Sequence, residues 1–134
     1  MKKFIFLFLL IPVFGMAQEG TNDSGKHLKG KATIYANRFQ GLRTATGEIF
    51  KHSNLTAASN NFKINTWVKV TNLSNMKTVI VRINDRMHPR MAKMGRVVDL
   101  THAAAKLLGG FDGMANVRVE AIANTAALKE SSTD

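Results

Sequence analysis

Residues 77–108 read KTVIVRINDRMHPRMAKMGRVVDLTHAAAKLL, and the rest of the chain is best understood around them. The stretch opens with apolar residues at alternate positions, Val79, Val81 and Ile83, which is the period of two that a half-buried strand shows. The alternation ends at Asp85, and a basic, methionine-rich loop follows. Asp85 is therefore expected where a rigid strand gives way to a loop, a place where catalytic side chains are often displayed.

Further short strands and one helix are predicted around this stretch. A short strand at 97–100 leads into a helix that Thr101 can cap and that the glycines at 109–110 end. The other predicted strands, three alternating segments and one short apolar run, are at 30–36, 66–71, 116–122 and 55–58. About six short strands with one short helix predict a mostly β protein, either a small barrel or a sandwich.

The first 17 residues carry the pattern of a signal peptide. Two lysines precede an apolar run at 4–14, and Gly15 and Ala17 supply the small residues that favour cleavage before Gln18. The run is shorter than the roughly 20 residues that span a membrane. We therefore expect an exported protein, periplasmic or secreted, without a stable membrane anchor. The sequence contains no cysteine, which excludes a lipid-bearing cysteine at the cleavage site, a disulfide framework and a thiolate metal site.

The residues after this leader suit one domain. Residues 18–29 are predicted to be a flexible polar lead, 30–123 the folded domain and 124–134 a polar, disordered tail. The formal net charge of +10 indicates a polyanionic partner. For an exported protein that partner is the cell wall or a membrane surface rather than nucleic acid. A basic surface that serves only solubility is the open alternative.

Several segments, in this order, resemble the rare lipoprotein A (RlpA) family: GKATIYANRFQGLRTATGEIF (30–50), LTAA (55–58), TWVKVTNLSN (66–75), VIVRINDR (79–86) and VVDLTHAAAKLLG (97–109). The resemblance covers about 30–122 and implies a six-stranded double-psi β-barrel of the expansin type with one short α-helix. It also implies an endolytic peptidoglycan lytic transglycosylase, a carbon–oxygen lyase that works in cell wall organisation. Such an enzyme prefers glycan strands that lack stem peptides and leaves 1,6-anhydromuramyl ends. Neither a cofactor nor a metal is implied.

The resemblance also assigns the catalytic residues. The family's aspartate matches Asp85 in the motif NDR at 84–86, and its glutamate matches Glu48 in TATGE at 44–48. Asp85 is then the expected acid/base and Glu48 its support. The family's histidine follows LTAA, where this sequence has Ser59. Two functions therefore stay open: a lytic transglycosylase, and an expansin-like peptidoglycan-binding protein that does not cut.

The chemistry of a lytic transglycosylase suits a single carboxyl group. That group protonates the glycosidic oxygen and then takes a proton from the sugar's own 6-hydroxyl, so that neither a bound water nor a second carboxylate is compulsory. Asp85 is the candidate, and the alternative is that it pairs with Arg86 or caps the next turn. Arg82 alternates with Asn84 along the strand and is expected to face away from Asp85.

The predicted substrate-binding residues lie in or beside these motifs: Tyr35, Ser59, Arg86 and His88. Tyr35 follows the first strand and either stacks on a sugar ring or belongs to the core, whereas Trp67 is expected in the core. His52 or His88 can take the place of the family's histidine, although a surface position is the ordinary alternative. Four scattered histidines with no ligand spacing predict no metal site. We expect a monomer whose partner is the peptidoglycan glycan strand.

Overall fold

The computed structural model describes residues 25–124, so the predicted leader at 1–17 and most of the predicted lead and tail lie outside them. Its six strands close into a barrel in the order β1-β5-β2-β4-β3-β6. The strands are β1 (His27–Ile34), β2 (Thr56–Ala58), β3 (Trp67–Asn72), β4 (Thr78–Asp85), β5 (Arg96–Leu100) and β6 (Ala115–Ile122). Two short helices, α1 (Pro89–Lys93) and α2 (His102–Leu107), and a 3₁₀ turn (Asn37–Phe39) complete the fold. The predicted six-stranded barrel is confirmed.

The barrel interior is filled by the alternating apolar residues of the strands. Val68 and Val70 of β3, Val81 of β4, and Val117 and Val119 of β6 are completely buried in one cluster. Burying a side chain of this size stabilises a fold by roughly 1.5–3 kcal/mol. The alternation of apolar residues in the sequence therefore identifies the residues that form the core.

Strand β2 lies between β4 and β5, parallel to the first and antiparallel to the second. Its residue Ala58 is the register partner of Asp85 on β4 and also of Asp99 on β5. Strand β1 runs parallel to β5 on the other side, so that the end of β1 also reaches this region. The topology thus gathers the ends of four strands at one place on the barrel.

Two boundaries differ from the sequence-based expectation. Strand β1 begins at His27, so that residues 27–29 of the predicted lead belong to the barrel. The methionine-rich loop contains the short helix α1, which adds a second helix to the one predicted. Pro89 at the start suits a helix because its missing N–H would have no intrahelical partner there. His88 caps α1, since its Nδ1 accepts a hydrogen bond from the Arg90 amide at 3.0 Å.

Trp67 was expected in the core but is half-exposed on the outside of β3, because Val68, the next residue along the strand, takes the inward position. In the turn between β3 and β4, Met76 adopts the left-handed backbone conformation with a φ of 64°, which is uncommon for residues other than glycine and asparagine. Asn65 has a φ of 72°, in line with the tolerance of asparagine for this conformation.

Candidate active site

Asp85, at the end of β4, is held in one orientation by three hydrogen-bond donors. The Tyr35 hydroxyl donates to Oδ2 at 2.7 Å. The amides of Ala45 and Arg86 donate to Oδ1 at 2.8 and 2.9 Å. The side chain is half-buried, so the carboxylate is fixed while it still borders solvent. The carboxylate therefore has one fixed orientation at the end of β4.

Tyr35, which donates a hydrogen bond to Asp85, is itself buried. Its ring is 6% exposed and packs against Phe50 and Phe39, with ring centroids 4.2 and 5.6 Å away. Burial, together with the hydrogen bond to Asp85, raises the pKa of the Tyr35 hydroxyl far above its usual value, so the hydroxyl remains a donor. Of the two alternatives, the burial of Tyr35 favours a place in the core, and its contact with substrate stays a prediction.

A second carboxyl group, Asp99, lies near Asp85 and was not singled out from the sequence. Both residues are register partners of Ala58, which puts their α-carbons about two strand spacings, roughly 10 Å, apart. Thr33 donates to Asp99 Oδ1 at 3.0 Å, and Tyr35, two residues further along the chain, donates to Asp85. Successive residues of an extended chain alternate in direction, so Thr33 and Tyr35 hold the two carboxyl groups on one side of β1.

Burial raises the pKa of Asp99 from 3.8 to about 6, and the charge of Asp85 adds to this. The hydrogen bond from Thr33 and the charge of Arg96 act in the opposite direction and are outweighed. Near neutral pH some of the molecules therefore keep a proton on Asp99. The sequence does carry a signal for this residue, since Asp99 interrupts the otherwise apolar run VVDL. A buried carboxyl with a displaced pKa is a common mark of a functional site.

Glu48 is engaged by three neighbours. The Arg82 guanidinium donates to its two oxygens at 2.8 and 3.0 Å, Asn84 Nδ2 donates to Oε1 at 3.0 Å, and the Thr46 hydroxyl donates to Oε1 at 2.9 Å. The bonds from Arg82 and Asn84 are the main reasons why the pKa of Glu48 falls to about 2. Glu48 thus stays ionised and is not suited to donate a proton. Arg82 and Asn84 share one face of β4, as predicted, and Arg82 points to Glu48 rather than to Asp85.

The loop that carries Glu48 is tied to the end of β4. The Thr46 amide donates to the Asn84 carbonyl at 3.4 Å, and the Ala45 amide reaches the Asp85 carboxylate. Gly47 has a φ of 89°, which glycine adopts without steric cost, and it lets the loop turn back toward β4. The ion pair of Glu48 therefore fixes the segment whose amide group orients Asp85.

The remaining predicted site residues lie near Asp85, with different exposure. Arg86 donates to the carbonyls of Ser59 and Phe62 at 2.5 and 2.6 Å, so the alternative of an ion pair with Asp85 is not observed. Ser59 is completely buried, and its hydroxyl accepts a hydrogen bond from the Asn61 amide at 3.1 Å. This burial does not favour the predicted contact between Ser59 and substrate, which stays a prediction. His88 is exposed where α1 begins.

His52 does not replace the family's histidine at Asp85. Its Nδ1 accepts a hydrogen bond from the His102 amide at 3.1 Å, and its ring stacks on the His102 ring with centroids 3.6 Å apart. Burial, and then the neighbouring His102, lower the pKa of His52. No hydrogen bond within residues 25–124 links it to Asp85 or Asp99. The two stacked imidazole rings lie at the start of α2, where His52 accepts from the first amide of the helix.

Known proteins were compared with this chain. The family model described as "Lytic transglycolase" matches residues 27–119. The endolytic peptidoglycan transglycosylase RlpA of Vibrio cholerae is 42% identical over 104 residues, which cover 75% of this chain and 38% of the relative. The protein of the same name from Pseudomonas aeruginosa PAO1 is 42% identical over 112 residues, 82% of this chain and 32% of the relative. The chain belongs to the RlpA family. It spans about a third of the length of these curated relatives.

Two solved structures share the fold of this RlpA-family chain. A Streptomyces papain inhibitor has a TM-score of 0.56 and 22% sequence identity, and the match covers 76% of this chain and 99% of the inhibitor. An expansin from Clavibacter michiganensis, solved in its apo form, also gives a TM-score of 0.56 at 22% identity, with 74% of this chain and 52% of the expansin covered. At this identity the likeness shows the fold alone, which is the double-psi β-barrel that the resemblance implied.

Metal binding and membrane insertion each require a particular arrangement of residues. Within residues 25–124, no three side chains of His, Asp or Glu come together in a way that could hold a metal ion. In the same part of the chain, no helix has the length and apolar character that a membrane span requires.

Proposed function

We propose that this protein is an endolytic lytic transglycosylase that acts outside the cytoplasm on the glycan strands of peptidoglycan, preferably strands without stem peptides. The observation that carries the proposal is the pair of carboxyl groups on either side of Ala58. Asp85 is held by three donors at the edge of the barrel, and Asp99 is buried with a pKa of about 6. The names of the curated relatives support the same activity.

In the proposed reaction, Asp85 in its protonated form delivers its proton to the glycosidic oxygen. The bond between this oxygen and the anomeric carbon breaks, and the 6-hydroxyl of the same sugar closes onto that carbon. The hydroxyl proton returns to Asp85, so no water is consumed and the enzyme ends as it began. Asp99 contributes through its charge, since Asp85 and Asp99 are near enough for the charge of one to affect the other.

The other site residues have positioning roles in this proposal. Tyr35 and the Ala45 amide fix the Asp85 carboxylate, and the ion pair between Glu48 and Arg82 holds the loop that carries Ala45. Arg86 and His88 are the exposed predicted residues nearest in the chain to Asp85 and remain candidates for contacts with substrate. Fixed donors of this kind reduce the reorganisation that a reaction needs.

A digestion tests the proposal. Purified sacculi and glycan strands freed of stem peptides are incubated with the protein, and the products are examined by mass spectrometry for 1,6-anhydro ends. Asp85→Asn should abolish these ends, whereas Asp112→Asn, which removes an exposed carboxylate outside the site, should leave them unchanged. Equal amounts of anhydro products from the Asp85→Asn variant and the unaltered protein would contradict the assigned role of Asp85.

The second candidate is an expansin-like protein that binds peptidoglycan without cutting it. The observation in its favour is Ser59, which stands where the family has a histidine and is completely buried. The same digestion separates the two functions. Firm sedimentation with sacculi and no product from the unaltered protein would favour binding alone.

A further inference from the structure

A basic groove lies on the flank of the barrel, outside the cluster around Asp85. It has a volume of about 580 Å³ and passes over the outward side of β1 beside α1. We define it by the polar and helical residues that line it, namely Lys29, Lys31, Asn61, Ala92, Arg96 and Asn116. A volume of this size is typical of a ligand site. Of all eleven residues that line it, three are cationic and none is acidic, while Leu73, Val97 and Val117 give it apolar walls.

The cations of the basic groove lie opposite other cations on neighbouring strands. Lys29 on β1 is the register partner of Arg118 on β6, and Lys31 is the register partner of Arg96 on β5. Like charges directly opposite on neighbouring strands destabilise a sheet. The only acidic residue in β1 and β6 is Glu120, whose register partners are His27 and Lys69. Two adjacent like-charge pairs, with no acidic residue as their register partner, indicate a surface that is completed by an anion.

Unsatisfied donors occur on Arg96, which lines the groove, and on Arg118, the register partner of Lys29. The Nε atoms of Arg96 and Arg118 are buried and have no hydrogen-bond partner among the described residues. A buried donor without a partner is unusual and destabilising in a folded protein. Lys31 is different, because its Nζ donates to Asn116 Oδ1 at 2.9 Å and is thereby held over the groove. The exposed side chains of Lys29 and Lys31 are therefore available to a ligand, whereas the buried Nε atoms of the two arginines are not.

The basic groove is next to the candidate active site. Ala92 of α1 lines the groove and also packs against the cluster that contains Tyr35 and Phe50. An α-helix with its side chains is about 10 Å across. One short helix thus separates the groove from the side chains that hold Asp85. A chain-like substrate bound at Asp85 needs to extend only past α1 to reach the groove.

We propose that the basic groove binds the carboxylates of the glycan strand itself, those of the lactyl ether groups, which are free wherever the stem peptide is absent. This rests on the proposed action on peptidoglycan. These carboxylates recur along the strand and sit close to the sugar rings, so one lies near the groove while another part of the strand occupies the site at Asp85. Arginine and lysine are suited to carboxylates, and arginine pairs with them in a bidentate geometry. The groove thus selects strands that have lost their peptides.

The test measures binding in an Asp85→Asn background, so that cutting does not intervene and failure of the enzymatic proposal is seen separately in the digestion. Lys29→Gln/Lys31→Gln is compared with Lys77→Gln/Lys106→Gln, which removes two exposed lysines elsewhere on the surface. Binding to peptide-free strands should weaken at least tenfold in the first variant and stay unchanged in the second. The same loss is expected when the strands' carboxylates are converted to amides. Equal binding by both variants, or equal binding of amidated strands, would overturn the proposal.

Two further measurements distinguish recognition of the strand from damage to the fold and from binding to a membrane. The melting temperature of Lys29→Gln/Lys31→Gln should equal or exceed that of the unaltered protein, because the change relieves like-charge repulsion. A lower melting temperature would mean that weaker binding reflects damage to the fold and would count against the site. Vesicles containing phosphatidylglycerol and phosphatidylcholine should not displace peptide-free strands. If they did, a membrane surface rather than the strand would be the ligand.

Discussion

At the level of single side chains, the Tyr35 hydroxyl is the one side-chain donor among the three groups that orient the Asp85 carboxylate. Tyr35→Phe removes the 2.7 Å hydrogen bond and leaves the ring packing in place. A hydrogen bond to a charged group contributes about 1.5–3 kcal/mol, so cleavage of peptide-free strands should slow by roughly 10- to 100-fold. The protein should remain folded because the ring packing is kept, and the measurement is kcat/KM together with a thermal unfolding curve. An unchanged rate would show that Tyr35 does not position Asp85.

Asp99 predicts how stability depends on pH. Its pKa is about 6 in the fold against 3.8 in the unfolded chain, so the stabilisation from its proton is complete below about pH 4 and is lost as the pH rises through about 6. The difference between these two pKa values lowers the free energy of unfolding by at most roughly 3 kcal/mol once the pH is above both. Asp99→Asn does not ionise, so its stability relative to the unaltered protein should increase between about pH 4 and pH 7.5.

Urea unfolding at the two pH values measures the effect. Asp112→Asn, which removes an exposed carboxylate, is the control. Its free energy of unfolding should differ from that of the unaltered protein by the same amount at both pH values. A constant offset for Asp99→Asn would mean that Asp99 is ionised in the fold across this range.

The sequence predicted the positions of some side chains in the site but not the partners of others. The position of Asp85 follows from the end of an alternating strand, and the separation of Arg82 from it follows from strand periodicity alone. Asp99 was not singled out, and the hydrogen bond of Tyr35 to Asp85 was not foreseen, because both roles arise from partners distant in sequence. Tyr35 contacts Asp85 across 50 positions, and Thr33 contacts Asp99 across 66. No local pattern encodes such pairs.

At the level of secondary-structure elements, the hairpin between β3 and β4 contains a strained residue. Met76 has a φ of 64° and is 66% exposed, so its side chain contributes little packing that would offset the conformation. Met76→Gly should stabilise the protein by about 1 kcal/mol, because the left-handed conformation costs other residues roughly 1–2 kcal/mol. Urea unfolding checks this.

The adjacent residue provides the control. Asn75→Gly should destabilise the protein, since Asn75 donates to the Leu108 carbonyl at 3.0 Å and accepts from the Lys77 amide at 2.8 Å. If Met76→Gly were also destabilising, the backbone strain assigned to this turn would be wrong.

Strands were easier to predict than the smaller elements. Alternation in β3, β4 and β6 marks the inward residues, and the cap of α2 was predicted correctly, with Thr101 accepting from the Ala104 amide at 3.1 Å. Helix α1 has five residues, which is too short for a helical period to appear in the sequence. The early part of β1 was missed because its outward residues are charged and only Leu28 packs on the core. Tertiary pairing with β6 makes this segment a strand.

For the molecule as a whole, closure of the barrel brings the separate parts together. Strand β2 holds the ends of β4 and β5 on its two sides, and α1 connects those same strands. The carboxyl pair and the basic groove are consequently neighbours although they use different strands. Under the two proposals made above, one glycan strand contacts both, and a single small domain combines cutting with the recognition of peptide-free carbohydrate.

The most direct test of the proposed reaction is a digestion of peptide-free glycan strands in water labelled with heavy oxygen, with the new ends read by mass spectrometry. Intramolecular closure by the 6-hydroxyl predicts 1,6-anhydro ends with no label, formed by the unaltered protein and absent with Asp85→Asn. New reducing ends that carry the label would show that water attacks the anomeric carbon. The carboxyl pair at Asp85 and Asp99 would then be the centre of a hydrolase rather than of a lytic transglycosylase.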